Sequence, residues 1–481
     1  MDRHAHTLVL DIGKSNAKLV LFSAEGDVLA RRVHANAPVE TDGYTALGTD
    51  ALQAWLLDAM PTLPERRQIG RIGITTHGAA FCALGDEGLA LPPMDYEWDG
   101  YGPWRERYVA LLDGFEVTGS PLLPLGLNAG LQLYWLQQNR PEAWARVRHW
   151  LPYPQYWAWW LTGVAANEAT SLGCHTHLWQ PARNAFAPWA VRQGLTDRFA
   201  PLRLAHEVLG PLRPELAATL GLAPDCRVHV GLHDSNACLA RHLHALPGAS
   251  VVSTGTWTVV MAPGVPTDAL TLDPLRDQLF NQSVEGQPVP TARFMGGREF
   301  AHLCHGADPS LATLRALRDV IEAGWMVLPE DSAQPGAAHG RVAELRQCER
   351  RIGNRPGEVP LHLRPALGAW YCALMTAQTL RELLPQGLAA EAAHTVVLEG
   401  PMTDNPAFVA ALAALLAPMR LLRSVDEVEG TARGAWLSTR WDEPAGEGAR
   451  YAEVALPEAV DVQRLQTARG AWEAVVEGVA V

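Results

Sequence analysis

The sequence contains no C-x-x-C pair, no apolar run of the ~18 residues that a membrane-spanning helix needs, and no surplus of positive charge. It also lacks any stretch repeating at a period of about 20–50 residues, which excludes a solenoid. The seven cysteines lie scattered at 82, 174, 226, 238, 304, 348 and 372, odd in number and unpaired by spacing. That pattern points to buried reduced thiols rather than a disulfide framework. With 39 basic against 52 acidic residues, net −13, the chain offers no footprint for nucleic acid or for an anionic membrane surface. No apolar leader precedes the first strand pattern, so the expectation is a cytoplasmic protein acting on a small molecule.

What is present begins with length: 481 residues exceed one core and suggest two domains, drawn at 1–230 and 231–481. A hydrophobic content of 48% and a charged content of 19% are those of a globular protein. The most informative stretch is residues 228–260. An apolar strand reaches Gly231, then His233-Asp234-Ser235 opens a helix, and Pro247-Gly248 turns into a hairpin whose tip is Thr254-Gly255-Thr256. An acid at a strand-to-helix junction can accept a proton, and a tip of Gly and hydroxyl residues can bring backbone N–H groups close to a phosphate. Phosphoryl transfer needs that equipment: an in-line nucleophile, an acceptor for its proton, and donors for the phosphate oxygens. The same residues also read as an ordinary helix N-cap and an ordinary hairpin.

The N-terminus carries a related kit. Thr7 to Asp11 reads as a buried strand, Ile12-Gly13-Lys14-Ser15-Asn16 as a turn, and 18–22 and 28–33 as the returning strands of a meander. A P-loop reading of Gly13-Lys14-Ser15 fails, because Leu8 stands where that motif needs its first Gly and a strand rather than a helix follows. The two hairpins, with Gly231-Leu232-His233-Asp234 before the second, make the chain resemble the FGGY carbohydrate kinases over most of its length. The likeness is nearest the rhamnulokinase and fuculokinase branch.

The resemblance implies an α/β fold of two actin-like (ribonuclease H-like) ATPase domains facing a central cleft, the first binding sugar and the second nucleotide. It implies ATP and Mg²⁺ as cofactors and a small sugar, a ketose, as substrate; a homodimer is compatible with it. Carried over residue by residue, Asp11 holds Mg²⁺, and Gly13, Lys14 and Ser15 sit by the γ-phosphate. Thr254, Gly255 and Thr256 cradle it from the other side, and Asp234 is the general base. His77 and Gly78, in the loop after the strand at 71–75, line the sugar site with Asp95 and His233. Gly400 and Asn405 contact adenosine where a strand, a turn and a helix meet. Asn405 followed by Pro406 also has a purely structural reading, N-cap and N1. Two departures from the family stand out: no lysine follows Lys18, and Pro401 occupies the place of a second Gly.

Other stretches have plainer readings. Tryptophans crowd residues 132–189, and helical spacing there assigns most of them to packing. Cys174-His175-Thr176-His177 looks like a metal cluster but lacks a second ligand pair at zinc spacing. Residues 170–173 read as a loop, 263–290 as a polar excursion, and Glu429 to Trp436 as the opening of the last core helix. Two competing functions are a catalytically idle nucleotide or sugar sensor on the same scaffold, and an ATPase of the actin or chaperone type. Retention of Asp11 and Asp234 argues against the first, and a sugar-lining His77 and Asp95 against the second.

Overall fold

The structure is a computed structural model that describes residues 5–267, 270–329, 342–348, 350–385, 394–425, 430–443 and 450–476. It divides into two compact units: Met1–Leu246 with Phe280–Pro288 and Glu427–Gly448, and Pro247–Leu279 with Val289–Asp426 and Ala449–Val481.

The first unit is built on the meander. Strands β1 (His6–Ile12), β2 (Asn16–Phe22) and β3 (Val28–Ala35) pair antiparallel, and β4 (Ile69–Thr76) joins β1 in parallel. All of β1 is buried because both faces of the sheet are covered, which is why it reads as a nearly continuous apolar run. Leu8, Leu10 and Ile12 face one apolar cluster with Trp157 and Leu161; Val9, with Val20 and Phe22 of β2, faces another with Ala237 and Trp436. A third cluster gathers Trp135, Trp150, Trp179 and Trp189 with Tyr108 and Tyr134, so these tryptophans pack the core. The short strand β5 (Leu232–His233) pairs with the end of β4.

The units part at Leu246–Pro247 rather than at 230/231, for a packing reason. The helix Asp234–Ala245 adds Ala237 and Ala240 to the cluster around Val9 and Phe22, together with the helix Gly430–Ser438. Gly434 lies so close that a Cβ there would meet the Ala237 carbonyl oxygen at 1.7 Å. The last core helix thus returns to the first unit; Glu429, expected at its start, lies outside the described residues. Two loop readings need correction. Ala169–Leu172 is one helical turn, capped by Glu168, whose carboxylate accepts from the Thr170 and Ser171 N–H groups. The excursion at 263–290 contains the strand Gln278–Gln282, a run of mostly polar residues. The Gln282 amide is buried but satisfied, accepting from Trp179 Nε1 (3.1 Å) and donating to Asn184 (2.7 Å).

In the second unit the central sheet runs Pro288–Phe294, β7 (Thr258–Met261), β6 (Ser250–Thr254), β8 (Thr395–Glu399), Arg420–Ser424 and Tyr451–Glu453. The β6–β7 hairpin is antiparallel with Thr254 opposite Thr258, leaving Gly255, Thr256 and Trp257 at the tip. β6 and β8 run parallel, Ser253 beside Glu399, so the hairpin tip and Gly400 emerge at the same end of the sheet. The helices Arg364–Leu383 and Pro406–Leu416 bury nearly all of their apolar residues. Among the described residues no helix is long and apolar enough to cross a membrane.

Candidate active site

The register of β4 and β5 builds the heart of the first unit's site. His233 lies opposite Thr76, so the next residue on each strand, Asp234 and His77, leaves the sheet at the same end. The Asp234 carboxylate is held through one oxygen: Oδ1 accepts from the Ser235 N–H at 2.6 Å and lies 3.1 Å from His233 Nε2. Its side chain is 34% exposed, and among the described residues Oδ2 has no hydrogen-bond partner. One oxygen is thus fixed and the other left open to accept a proton.

His77 is buried, with its ring edge-on to Tyr96 and tilted against Tyr153. Nδ1 lies 2.9 Å from the Gly78 carbonyl and donates to it, which leaves Nε2 as an acceptor for a hydroxyl. Burial pushes the His77 pKa down, keeping the ring neutral, while the nearby Asp234 carboxylate opposes that shift. Lys14, in the β1–β2 turn, reaches to the buried Asp95, with Glu97 at 3.4 Å and the Tyr96 ring 5.2 Å below the ammonium. Asp95 also accepts from the Glu97 N–H. The structure therefore joins Lys14 to the Asp95 side of the site. Asp11 is buried at the end of β1 and faces Lys18 across the β1–β2 ladder, its carboxylate 3.5 Å from the ammonium. Gly13 and Ser15 complete that turn; the Gly13 carbonyl accepts from Asn36. Trp98 packs against Tyr101 and Trp135 and belongs to the core.

Sequence reasoning missed the layer behind His233. Cys174 Sγ lies 3.3 Å from His233 Nε2, and the His233 N–H donates to Thr170 Oγ1, which in turn donates to Glu168. Gln155 donates to the Val230 and Gly231 carbonyls just upstream. Only the Glu168 cap had a local sequence signal; the others meet across 59 to 76 positions. His175 bonds the Leu127 carbonyl and lies against the Cys174 sulfur, whereas His177 turns away to bond Tyr108 and the Ser120 carbonyl. No group of three His, Cys, Asp or Glu side chains that could hold a metal occurs among the described residues.

In the second unit Gly255, Thr256, Gly297, Arg298, Pro401 and Asn405 line a cavity of about 700 Å³. Gly400, with φ +87°, has no room for a side chain: a Cβ would stand 1.9 Å from the Thr254 carbonyl oxygen. Thr254 itself is buried, its hydroxyl donating to the Glu399 carbonyl and accepting from the Met402 N–H, so it ties the hairpin to the Gly400 turn. Gly297 approaches the hairpin tip as closely, its Cβ position 2.1 Å from the Gly255 oxygen. Asn405 is the N-cap of its helix, accepting from the Phe408 N–H at 3.0 Å. In the sequence Gly297 and Arg298 belong to a Gly-rich turn opening a helix, which reads equally as an anion site and as a helix cap.

Comparisons with known proteins agree with this layout. Residues 114–240 match the FGGY family of carbohydrate kinases, N-terminal domain, and residues 247–447 match Carbohydrate kinase FGGY, C-terminal domain. L-fuculokinase of Escherichia coli strain K12 is 25% identical over 455 residues, covering 89% of this chain and 91% of that one. The structure of a carbohydrate kinase from Novosphingobium aromaticivorans superposes with a TM-score of 0.86 at 35% identity over 99% of both chains. A xylulose kinase from Lactobacillus acidophilus shares the fold, with a TM-score of 0.71 at 14% identity over 99% of this chain and 98% of that one. The chain belongs to the FGGY family of carbohydrate kinases, two-domain actin-like phosphotransferases that use ATP.

Proposed function

We propose that the protein transfers the γ-phosphate of MgATP to a hydroxyl of a small ketose, with Asp234 as general base. The observation that carries this reading is the asymmetry of the Asp234 carboxylate, Oδ1 held by Ser235 and His233 and Oδ2 without a partner among the described residues. Oδ2 takes the proton as the sugar oxygen forms its bond to phosphorus and the bond to the ADP oxygen breaks. Around that carboxylate stand the groups a sugar needs: His77 Nε2 and Asp95 as acceptors, Lys14 as donor, and the half-buried Tyr96 for the ring. The relative named L-fuculokinase supports a ketose.

The cavity of the second unit takes the nucleotide. Arg298 and the N–H groups of the Gly255 tip meet phosphate there, and Asn405 and Pro401 border the base. Asp11 fits Mg²⁺ as one buried carboxylate at a strand end, since this ion is held by one or two carboxylates together with phosphate and water. When bound it neutralises charge on the phosphate oxygens.

The test is ADP release by the purified protein with MgATP across a panel of ketoses, aldoses and polyols, with Asp234→Ala alongside. Turnover should depend on one sugar, and the variant should lose ~10²–10⁴-fold in kcat while keeping its thermal transition. Full kcat in the variant would refute the assignment. ATP binding with no turnover on any sugar would favour a sensor instead.

A further inference from the structure

We propose that Cys174 is a positioning residue: its sulfur and the Asp234 carboxylate share the Nε2 proton of His233, and this Cys174–His233–Asp234 chain holds the base for proton transfer. The proposal rests on the reading of Asp234 as the general base.

The geometry fixes the proton first. His233 Nε2 stands 3.1 Å from Asp234 Oδ1 and 3.3 Å from Cys174 Sγ. A bare nitrogen there would face the carboxylate lone pair to lone pair, so Nε2 carries hydrogen and donates. Toward the same hydrogen the sulfur is an acceptor, a role for which a thiolate is far better suited than a thiol.

The other ring nitrogen tells the same story. Nδ1 lies 3.2 Å from Asn236 Nδ2, and Asn236 Oδ1 is buried with no partner. Turning that amide by half a turn sets the unpartnered Oδ1 against Nδ1–H in place of the Nδ2 donor, the arrangement a doubly protonated ring requires. His233 then carries two protons, a cation held between two anions.

The surroundings favour that state. Burial works against charge on His233, but Cys174 and Asp234, with Glu168 behind them, raise its pKa to about 9. Burial likewise opposes the Cys174 thiolate, yet His175 and His233 bring its pKa down to about 5. Glu168 caps the preceding turn, Cys174 and His175 follow it, Asp234 opens the helix, and neutral His77 comes from the end of β4.

The pair is also built sterically. At Gly78 a Cβ would stand 2.9 Å from His233 Cδ2 and Nε2 and 3.2 Å from the Cys174 sulfur, so only glycine lets ring and sulfur lie against that backbone. Thr170 fixes the His233 N–H from below. With both ring nitrogens engaged inside the protein, the work of His233 is to hold Asp234 Oδ1, leaving Oδ2 for the sugar proton.

Two measurements test this, one of them independent of turnover. The first is the ultraviolet thiolate absorbance against pH, taken as the difference between wild type and Cys174→Ser. A transition near pH 5 to 6, displaced toward the ordinary ~8.5 of a free thiol by His233→Gln, is the expected result. A Cys174 thiol titrating at its ordinary pH, or one indifferent to His233→Gln, overturns the chain whether or not the protein turns over sugar.

The second is the pH–rate profile of sugar-dependent ADP release. Cys174→Ala and Cys174→Ser should lower kcat about 10-fold, short of the ~10²-fold that misplacement by 1 Å can cost. They should leave the ATP KM unchanged and bring the alkaline limb down by about one pH unit, because His233 loses the anion that helps it keep its proton. A merely structural cysteine would not move that limb. Wild-type kcat and an unshifted limb in Cys174→Ala overturn the proposal, whereas absence of turnover in wild type counts against the kinase reading and leaves the thiolate titration to decide this one.

Discussion

Replacing one glycine by alanine should destabilise the first unit, while the same replacement elsewhere should stabilise the second. Gly434 lies in the helix Gly430–Ser438, where its missing side chain lets the helix Asp234–Ala245 approach. An ideal Cβ at 434 would sit 1.7 Å from the Ala237 carbonyl oxygen and 2.4 Å from its carbon, against 3.4 Å or more for an ordinary contact. Both obstructing atoms are backbone, so no rotamer change relieves the overlap and the helices must separate by well over 1 Å. Two effects then oppose each other. Alanine is favoured over glycine in a helix by ~1 kcal/mol, while overpacking of this kind costs ~1–3 kcal/mol and more where backbone must move. With backbone on both sides the clash falls at the upper end of that range, ~2–3 kcal/mol, and wins, for a net loss of about 1–2 kcal/mol.

Gly470, in the helix Val462–Val476, is the control, since nothing lies within 4 Å of its Cβ position. There only the propensity remains, and Gly470→Ala should gain ~0.5–1 kcal/mol. At about 2–4 °C per kcal/mol for units of this size, calorimetry should show the first-unit transition fall by roughly 2–8 °C in Gly434→Ala and the second-unit transition rise by a few degrees in Gly470→Ala. The Gly434 variant should also lose kcat, because the displaced helix begins with Asp234. A Gly434→Ala protein that melts with or above wild type would refute the reasoning.

Asn405→Ala removes an N-cap and should cost ~1 kcal/mol in second-unit stability; if Asn405 also borders the nucleotide, calorimetric titration should show weaker ATP binding than Asn405→Ser, which keeps the cap. The buried His177 should make the fold acid-sensitive. Burial holds its pKa down to about 4 against 6.5 for the free side chain, so the unfolded chain takes up the proton first. The stability that the neutral ring provides is complete above pH ~6.5 and is lost as pH falls toward 4. Urea denaturation across that window should show a shallower decline in His177→Gln than in wild type, and equal slopes would count against the assignment.

Residues near one another along the chain were the readable ones. β1, the β6–β7 hairpin and the helix after Asn405 each announce themselves through apolar runs, turn residues and a cap, and each stands within a residue or two of its expected place. The one-turn helix at Ala169–Leu172 escaped because four residues carry no periodicity, and its cap is a glutamate, a residue less typical of N-caps than Asp or Ser. The strand Gln278–Gln282 escaped because it is polar by composition, and its Gln282 amide finds partners 98 to 103 positions away.

The candidate site divides in the same manner. Asp234, His77 and Asp95 could be singled out by matching motifs, but not the pairing of Lys14 with Asp95, 81 positions apart, nor that of Cys174 with His233, 59 apart. A cysteine read alone is a small buried hydrophobe, and Cys82, Cys226, Cys304 and Cys372 are buried in that way, while Cys238 is half-buried and Cys348 exposed. What sets Cys174 apart is a contact made possible by two features far from it in the chain: the β4–β5 register that delivers His233 beside Thr76, and a glycine at 78 that clears the space. The chemistry of the base therefore depends on packing decisions that local sequence does not record. A second FGGY kinase with the same Gly-x-His-Asp motif but no thiol behind the histidine should keep general-base catalysis, with an alkaline limb about one pH unit lower than that of this protein.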